Sequence, residues 1–134
     1  MLPLFPLRTV LFPGGLLPLR VFEQRYVSMV KACLKDAAPF GVCLITRGDE
    51  VLRGTPGTPP QAPAFASVGT IASILAWDMP QLGILHLRTE GGSRFRVASH
   101  TVHDDGLVVG DVVPIPDEHR VTLPAEFRRL REFL

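Results

Sequence analysis

Proline limits this chain more than any other residue does. It occurs 13 times in 134 residues, with 12 glycines beside it. Each proline fixes φ and removes an N–H, so it interrupts a helix or a central strand. A chain punctuated this way favours many short elements over a few long helices. The opening run Leu2-Pro3-Leu4-Phe5-Pro6-Leu7 is apolar, and its prolines make it an edge segment. Leu11-Phe12-Pro13-Gly14-Gly15 reads as a turn, because proline presets φ and glycine permits φ > 0. Leu16 to Phe22 then reads as a short extended segment, with Pro18 again favouring an edge.

One helix stands out between the prolines. Tyr26, Met29, Val30, Cys33 and Leu34 recur at helical spacing and form one apolar face. Gln24, Arg25, Ser28, Lys31 and Lys35 fall elsewhere and are expected to be wet. Glu23 near the start and Lys31 and Lys35 near the end match the helix dipole. Pro39 stops the helix by restricting the residue before it. Glu23 and Arg25 read as a structural bridge or cap at the helix start, with ligand binding as the minority reading.

The middle of the chain reads as strands. Phe40 to Thr46 is a short apolar run rich in β-formers, the pattern of a buried strand. Arg47-Gly48-Asp49-Glu50 is expected to turn, and Arg53 to Pro63 to form a mobile surface loop within the domain. Val68 to Trp77 is the next strand, Met79 to Gly83 a turn, and Gly83 to Thr89 another strand. Leu85 and Leu87 alternate there with His86 and Arg88. Glu90-Gly91-Gly92 is expected to turn the chain back into Arg94 to Ser99. Asp104-Asp105-Gly106 carries the strongest hairpin signal and leads into Leu107 to Val113. An antiparallel meander of this size tends to curl into a barrel, which removes its edges. At the end, Thr122 and Pro124 suit a helix start, and Phe127, Leu130 and Leu134 form a helical face. That face needs a partner. Either it packs on the barrel, or the chain is a fragment of something longer.

Composition excludes several function classes. The formal net charge is +1 and no block of Lys and Arg occurs, which argues against nucleic acid as the partner. No apolar run reaches the roughly 18 to 20 residues that span a membrane. The N-terminus lacks the pattern of a signal peptide, which points to a cytoplasmic protein. Cys33 and Cys43, the two cysteines, form no metal or redox motif and read as reduced, buried thiols.

Candidate chemistry is sparse. Ser28 and Lys31 match S-x-x-K, but an exposed lysine keeps a high pKa and is no base. His100 and His103, beside Asp104, suggest a metal site, yet positions three apart on a strand point to opposite faces. No metal and no cofactor is expected. Arg94 and Arg96 point the same way and either cover the barrel with their stems or ligate an anionic group, cover being the favoured reading. Trp77, Met79, Pro80 and Leu82 cluster at a turn, where packing alone explains them poorly. Trp77, Met79 and Leu82 are therefore the best candidates for a peptide-binding surface, with burial against the early helix as the competing explanation.

A family resemblance sharpens this picture. Pro18-Leu19-Arg20-Val21-Phe22-Glu23-Gln24-Arg25-Tyr26 with Met29 resembles the P-L-x-V-F-E-x-R-Y-x-x-M signature of the Lon protease N-terminal (substrate-binding) domain family. The opening segments, Val68-Gly69-Thr70-Ile71-Ala72, and Glu90-Gly91-Gly92-Ser93-Arg94-Phe95-Arg96-Val97 resemble further blocks of that family in the same order. Gln24 stands where the family often has proline, and the loop from Arg53 replaces a shorter connection.

The resemblance implies a mainly β (α+β) fold: a PUA-like antiparallel β-barrel over residues 1–115 with one early helix. Residues 116–134 would be a linker and the start of a helical subdomain. It implies a non-catalytic module that binds unfolded or partly folded proteins or peptides, in company with a protease or alone. The sequence holds no G-x-x-x-x-G-K-[ST] phosphate loop, and no ATPase or protease domain is expected in it. RNA binding through Arg94 and Arg96 is the alternative, because PUA-like barrels elsewhere bind RNA.

Overall fold

The strand pairings return on themselves. In the computed structural model, which describes residues 1–47 and 64–116, the order of elements is β1 (Leu2–Leu7), β2 (Leu16–Val21), α1 (Gln24–Asp36), β3 (Phe40–Arg47), β4 (Ala64–Gln81), β5 (Ile84–Val102) and β6 (Val108–Pro114). All six strands join one sheet in the order β2-β5-β4-β3-β1-β6, and β6 also pairs with β5. Strands β5, β4, β3, β1 and β6 thus form a closed ring of pairings, while β2 lies outside it on β5. The mainly β reading holds, with one pairing that sequence reasoning did not foresee. β1 runs parallel to β3, from Leu4 opposite Gly41 to Leu7 opposite Leu44.

That pairing corrects the expectation that β1 is an edge. Its register with β6 covers Leu2 to Leu4, and its register with β3 covers Leu4 to Leu7. Pro3 therefore has a strand beside it only on the β6 side, and Pro6 only on the β3 side. The rule against proline in a central strand is obeyed residue by residue, since each proline has one side without a ladder. β2, carrying Pro18, is an edge strand as expected.

The strands of the middle are longer than their punctuation suggests. β4 spans 18 residues and β5 spans 19, so short elements are not the rule there. Three register shifts break the β4–β5 ladder, between Thr70 and Ala72, Ile74 and Ala76, and Asp78 and Gln81. A bulge lets a strand bend without ending. The expected turn at Met79 to Gly83 is confined to Leu82 and Gly83, with Gly83 at φ +84°. The expected turn at Glu90-Gly91-Gly92 does not exist: β5 runs straight through it. Gly91 serves a different need. Its N–H donates to Gly15 O and its carbonyl accepts from Gly14 N–H, both at 2.8 Å, and a Cβ there would meet Phe12 O at 2.1 Å. Only glycine lets the Phe12–Gly15 turn lie on this strand.

Two apolar clusters fill the molecule. Leu4, Cys43, Phe95 and Val108 form one, contributed by four strands of the ring. Phe5, Leu7, Val42, Leu85 and Leu87 form the other with Tyr26, Met29, Val30 and Cys33 of α1. Alternation along β1 and β3 divides their residues between the two clusters, Leu4 from Phe5 and Cys43 from Val42. Phe5 stacks on Tyr26 with ring centroids 4.0 Å apart and planes 8° from parallel. Buried threonine hydroxyls tie the opening segments down: Thr70 Oγ1 donates to Leu11 O and Thr89 Oγ1 to Leu17 O, both at 2.7 Å.

The helix matches its apolar spacing except at one residue. Arg25, expected to be wet, is only 4% exposed. Its Nη1 donates to Gly106 O at 2.9 Å, its Nη2 lies 3.1 Å from Glu23 Oε2, and its guanidinium sits 4.5 Å from the centre of the Tyr26 ring. The bridge expected between Glu23 and Arg25 is present. Glu23 is the N-cap residue through its carbonyl, which accepts from Val27 N–H at 2.9 Å, and its side chain makes no cap bond. The helix ends with Ala37 in the left-handed region at φ 51°. The Asp104-Asp105-Gly106 hairpin is present, with Gly106 at φ +92° and Leu107 N–H donating to Asp105 Oδ1 at 2.9 Å. The expected loop from Arg53 to Pro63 and the expected helix from Thr122 to Leu134 lie outside the described residues.

Candidate functional site

Three strands leave the ring together. β3 pairs with β4 only as far as Ala72, yet β4 continues to Gln81, and β5 and β2 accompany it. The register fixes which side chains share a face. Leu19, Leu87 and Trp77 are cross-strand neighbours in one row. Arg20, His86 and Asp78 form the adjacent row, and Pro18, Arg88 and Ala76 the next corresponding one. Successive rows alternate between faces. Leu87 is buried in the helix-side cluster, so its row faces inward and the charged rows face outward.

A groove of about 410 Å³ lies on these three strands, open to solvent. Arg20, Asp78, His86 and Arg88 are its polar lining residues, and Pro18, Ala76 and Trp77 are among its apolar ones. Arg20, Asp78, His86 and Arg88 are all exposed, and among the described residues none of their side chains has a hydrogen-bond or ion-pair partner. Two arginines against one aspartate give the groove an excess of positive charge.

The expected peptide-binding residues differ in their surroundings. Trp77 is on β4 rather than in a turn and is 56% exposed. Met79 is partly buried and packs against the helix-side core, as the competing burial reading had it. Leu82 is at the β4–β5 turn and is 97% exposed. Leu75, which sequence reasoning passed over, is 55% exposed at the bulge two residues before Trp77. Arg94 and Arg96 are exposed on β5 opposite Thr70 and Val68, within the ring and away from the groove. The alternation of His86 and Arg88 with Leu85 and Leu87 marked an outward face in the sequence. What it could not mark was that β2 would place Arg20 beside His86.

The remaining candidates carry little chemistry. Ser28 Oγ accepts from Gln24 Nε2 at 3.0 Å on the exposed helix surface, and Lys31 is exposed. His100 lies edge-on to Phe65 with centroids 5.1 Å apart, and His103 is in the following turn. Among the described residues no three of His, Cys, Asp and Glu gather closely enough to hold a metal ion. Cys33 and Cys43 are free and buried. Burial pushes the Cys43 thiol up to about 12, and burial with the Asp36 charge raises Cys33. Both thiols stay protonated at neutral pH, which removes them as nucleophiles. No helix among the described residues is long and apolar enough to cross a membrane.

Comparison with known proteins gives this arrangement a lineage. The chain is 34% identical over 97 residues to Lon protease 2 of Myxococcus xanthus, a stretch that is 72% of this chain and 11% of that protein. It is 33% identical over 97 residues to the Lon protease of Anaeromyxobacter dehalogenans, with the same coverage. The chain thus spans about a ninth of the length of these relatives. A crystal structure of a Lon N-terminal domain protein from Xanthomonas campestris superposes with a TM-score of 0.72 at 40% identity, covering 99% of this chain and 70% of that one. The N-terminal domain of a Mycobacterium avium complex Lon protease shares the fold at 15% identity, with a TM-score of 0.62 over 98% of this chain and 62% of that one. The family model of the ATP-dependent protease La (LON) substrate-binding domain matches residues 1–134, and the chain belongs to that family.

Proposed function

We propose that this domain binds exposed apolar segments of unfolded or partly folded proteins in the cytoplasm, and that it does so without catalysing a reaction. The observation that carries this reading is Trp77, more than half exposed beside an equally exposed Leu75, on strands that have left the ring. Apolar side chains in such a position make adaptable contacts with a passing chain. Membership of a substrate-binding family supports the same reading. Protonated thiols, a histidine set against phenylalanine and an exposed Ser28–Lys31 pair offer no assembled nucleophile and base.

The test is light scattering of a denatured model protein in the presence of the full chain. Suppressed aggregation that Trp77→Ala abolishes is the expected result. No suppression at molar excess would remove the reading. Association with cell lysate that disappears on nuclease treatment would replace it with RNA binding, and Arg94 and Arg96 would then be its first suspects.

A further inference from the structure

The same three strands suggest how a chain would be held. From Ser73 onward β4 is paired with β5 on one side, and its other edge has no partner strand among the described residues. That edge offers a row of backbone N–H and C=O groups. Leu75, Ala76, Trp77 and Asp78 along it are all exposed. Strand edges in stable proteins are ordinarily guarded by lysine, proline, β-bulges or a covering element, and here bulges lie between Ile74 and Ala76 and between Asp78 and Gln81. This one carries no lysine, and Pro80 guards only its last residues.

We propose that the β4 edge from Ser73 to Met79 takes up an extended segment of a client polypeptide as an added strand, and that Arg88 favours segments with an acidic side chain next to the apolar one. The proposal rests on the peptide-binding reading above and names its mode. In an added strand, the residue opposite Trp77 shares its inward face and rests on the indole. The residue opposite Ala76 shares the outward face. Ala76 is small, so the next side chain across is its β5 partner, Arg88. Two strand spacings, about 10 Å, separate that position from Arg88, a gap that arginine and glutamate side chains span together. Arg20 reinforces the positive groove behind it. Main-chain bonds would supply affinity for many sequences, and the alternate side chains a preference among them.

The test uses fluorescein-labelled peptides of alternating apolar and polar residues, one carrying a glutamate and one a lysine at the same place, and a third N-methylated at alternate amides. Anisotropy with the full chain is expected to show about tenfold weaker binding of the N-methylated peptide. The lysine peptide is expected to bind roughly two- to fivefold more weakly than the glutamate peptide. Arg88→Glu should reverse that order without altering the melting temperature. Exchange of the Ser73–Met79 amides that face away from β5 should slow when the glutamate peptide is added. Equal binding of the N-methylated peptide would overturn strand addition and leave peptide binding intact. Absence of all peptide binding, with aggregation still suppressed, would overturn it as well. So would slow exchange, without peptide, of those amides in the segment that face away from β5, whether at every concentration (the chain's own segment fills the edge) or only at high concentration (a second copy does).

Discussion

β4 and β5 lead two lives along their length. From Val68 to Ala72, β4 has β3 on one side and β5 on the other, and the ladder belongs to a closed ring. From Ser73 to Gln81 it has β5 alone among the described residues, and Leu75 and Trp77 are left more than half exposed. The residue types differ little between the two stretches. What differs is the number of neighbours: Phe95 on the ring stretch is 1% exposed, whereas Leu75 and Trp77 beyond it are more than half exposed. Closure stabilises the ring half, and the free half retains groups that another chain can satisfy.

The sharpest way to break this contrast is to empty the ring. Phe95 is buried among Leu4, Cys43 and Val108, and Phe95→Ala should cost about 3–5 kcal/mol of stability, read by chemical denaturation. Arg25→Met removes the charged donor from Gly106 O and leaves that carbonyl without it, for a loss of about 1.5–3 kcal/mol in the same assay. Gly91→Ala forces a methyl against Phe12 O where the turn crosses β5, with an expected loss of about 1–3 kcal/mol. The Cys43 thiol gives a pH-dependent probe of the ring. Its folded pKa, near 12, lies above its ordinary value of 9.0, so its contribution to stability is complete below pH 9 and is lost as pH rises toward 12. Iodoacetamide should accordingly leave native Cys43 unmodified at pH 8 and label it readily after unfolding. Trp77→Ala completes the series. Its stability change should stay within about 0.5 kcal/mol while client binding falls, and a large loss of stability would mean the two regions are not as separate as their pairings indicate.

Legibility followed the same division. The helix was readable because Tyr26, Met29, Val30 and Cys33 recur at its period, and the last hairpin because Asp105 and Gly106 suit a tight turn. Arg25 misled because a helical wheel sorts residues by polarity. Its burial depends on Glu23 beside it and on a carbonyl 81 residues away. Gly91 misled because glycine serves turns and close approaches alike, and only the position of Phe12 decides between them. The parallel pairing of β1 with β3 has no local signal at all, since no turn joins them. Among the candidate site residues, Trp77 drew notice by its oddity and Arg88 only as part of an outward face, while the β2–β5 register was needed to bring Arg20 and Arg88 to one groove.

The placement of β1 also has a temporal consequence. Leu2 is opposite Gly110, so one flank of the first strand is supplied by the last strand described. During synthesis from the N-terminus, β1 leaves the ribosome long before β6. Throughout that interval the nascent domain resembles an open clasp, with its earliest strand half exposed. Native contacts of such long sequence separation slow folding. An unpaired early strand is also where a nascent chain is most prone to associate with its neighbours. The domain passes through this condition each time it is made.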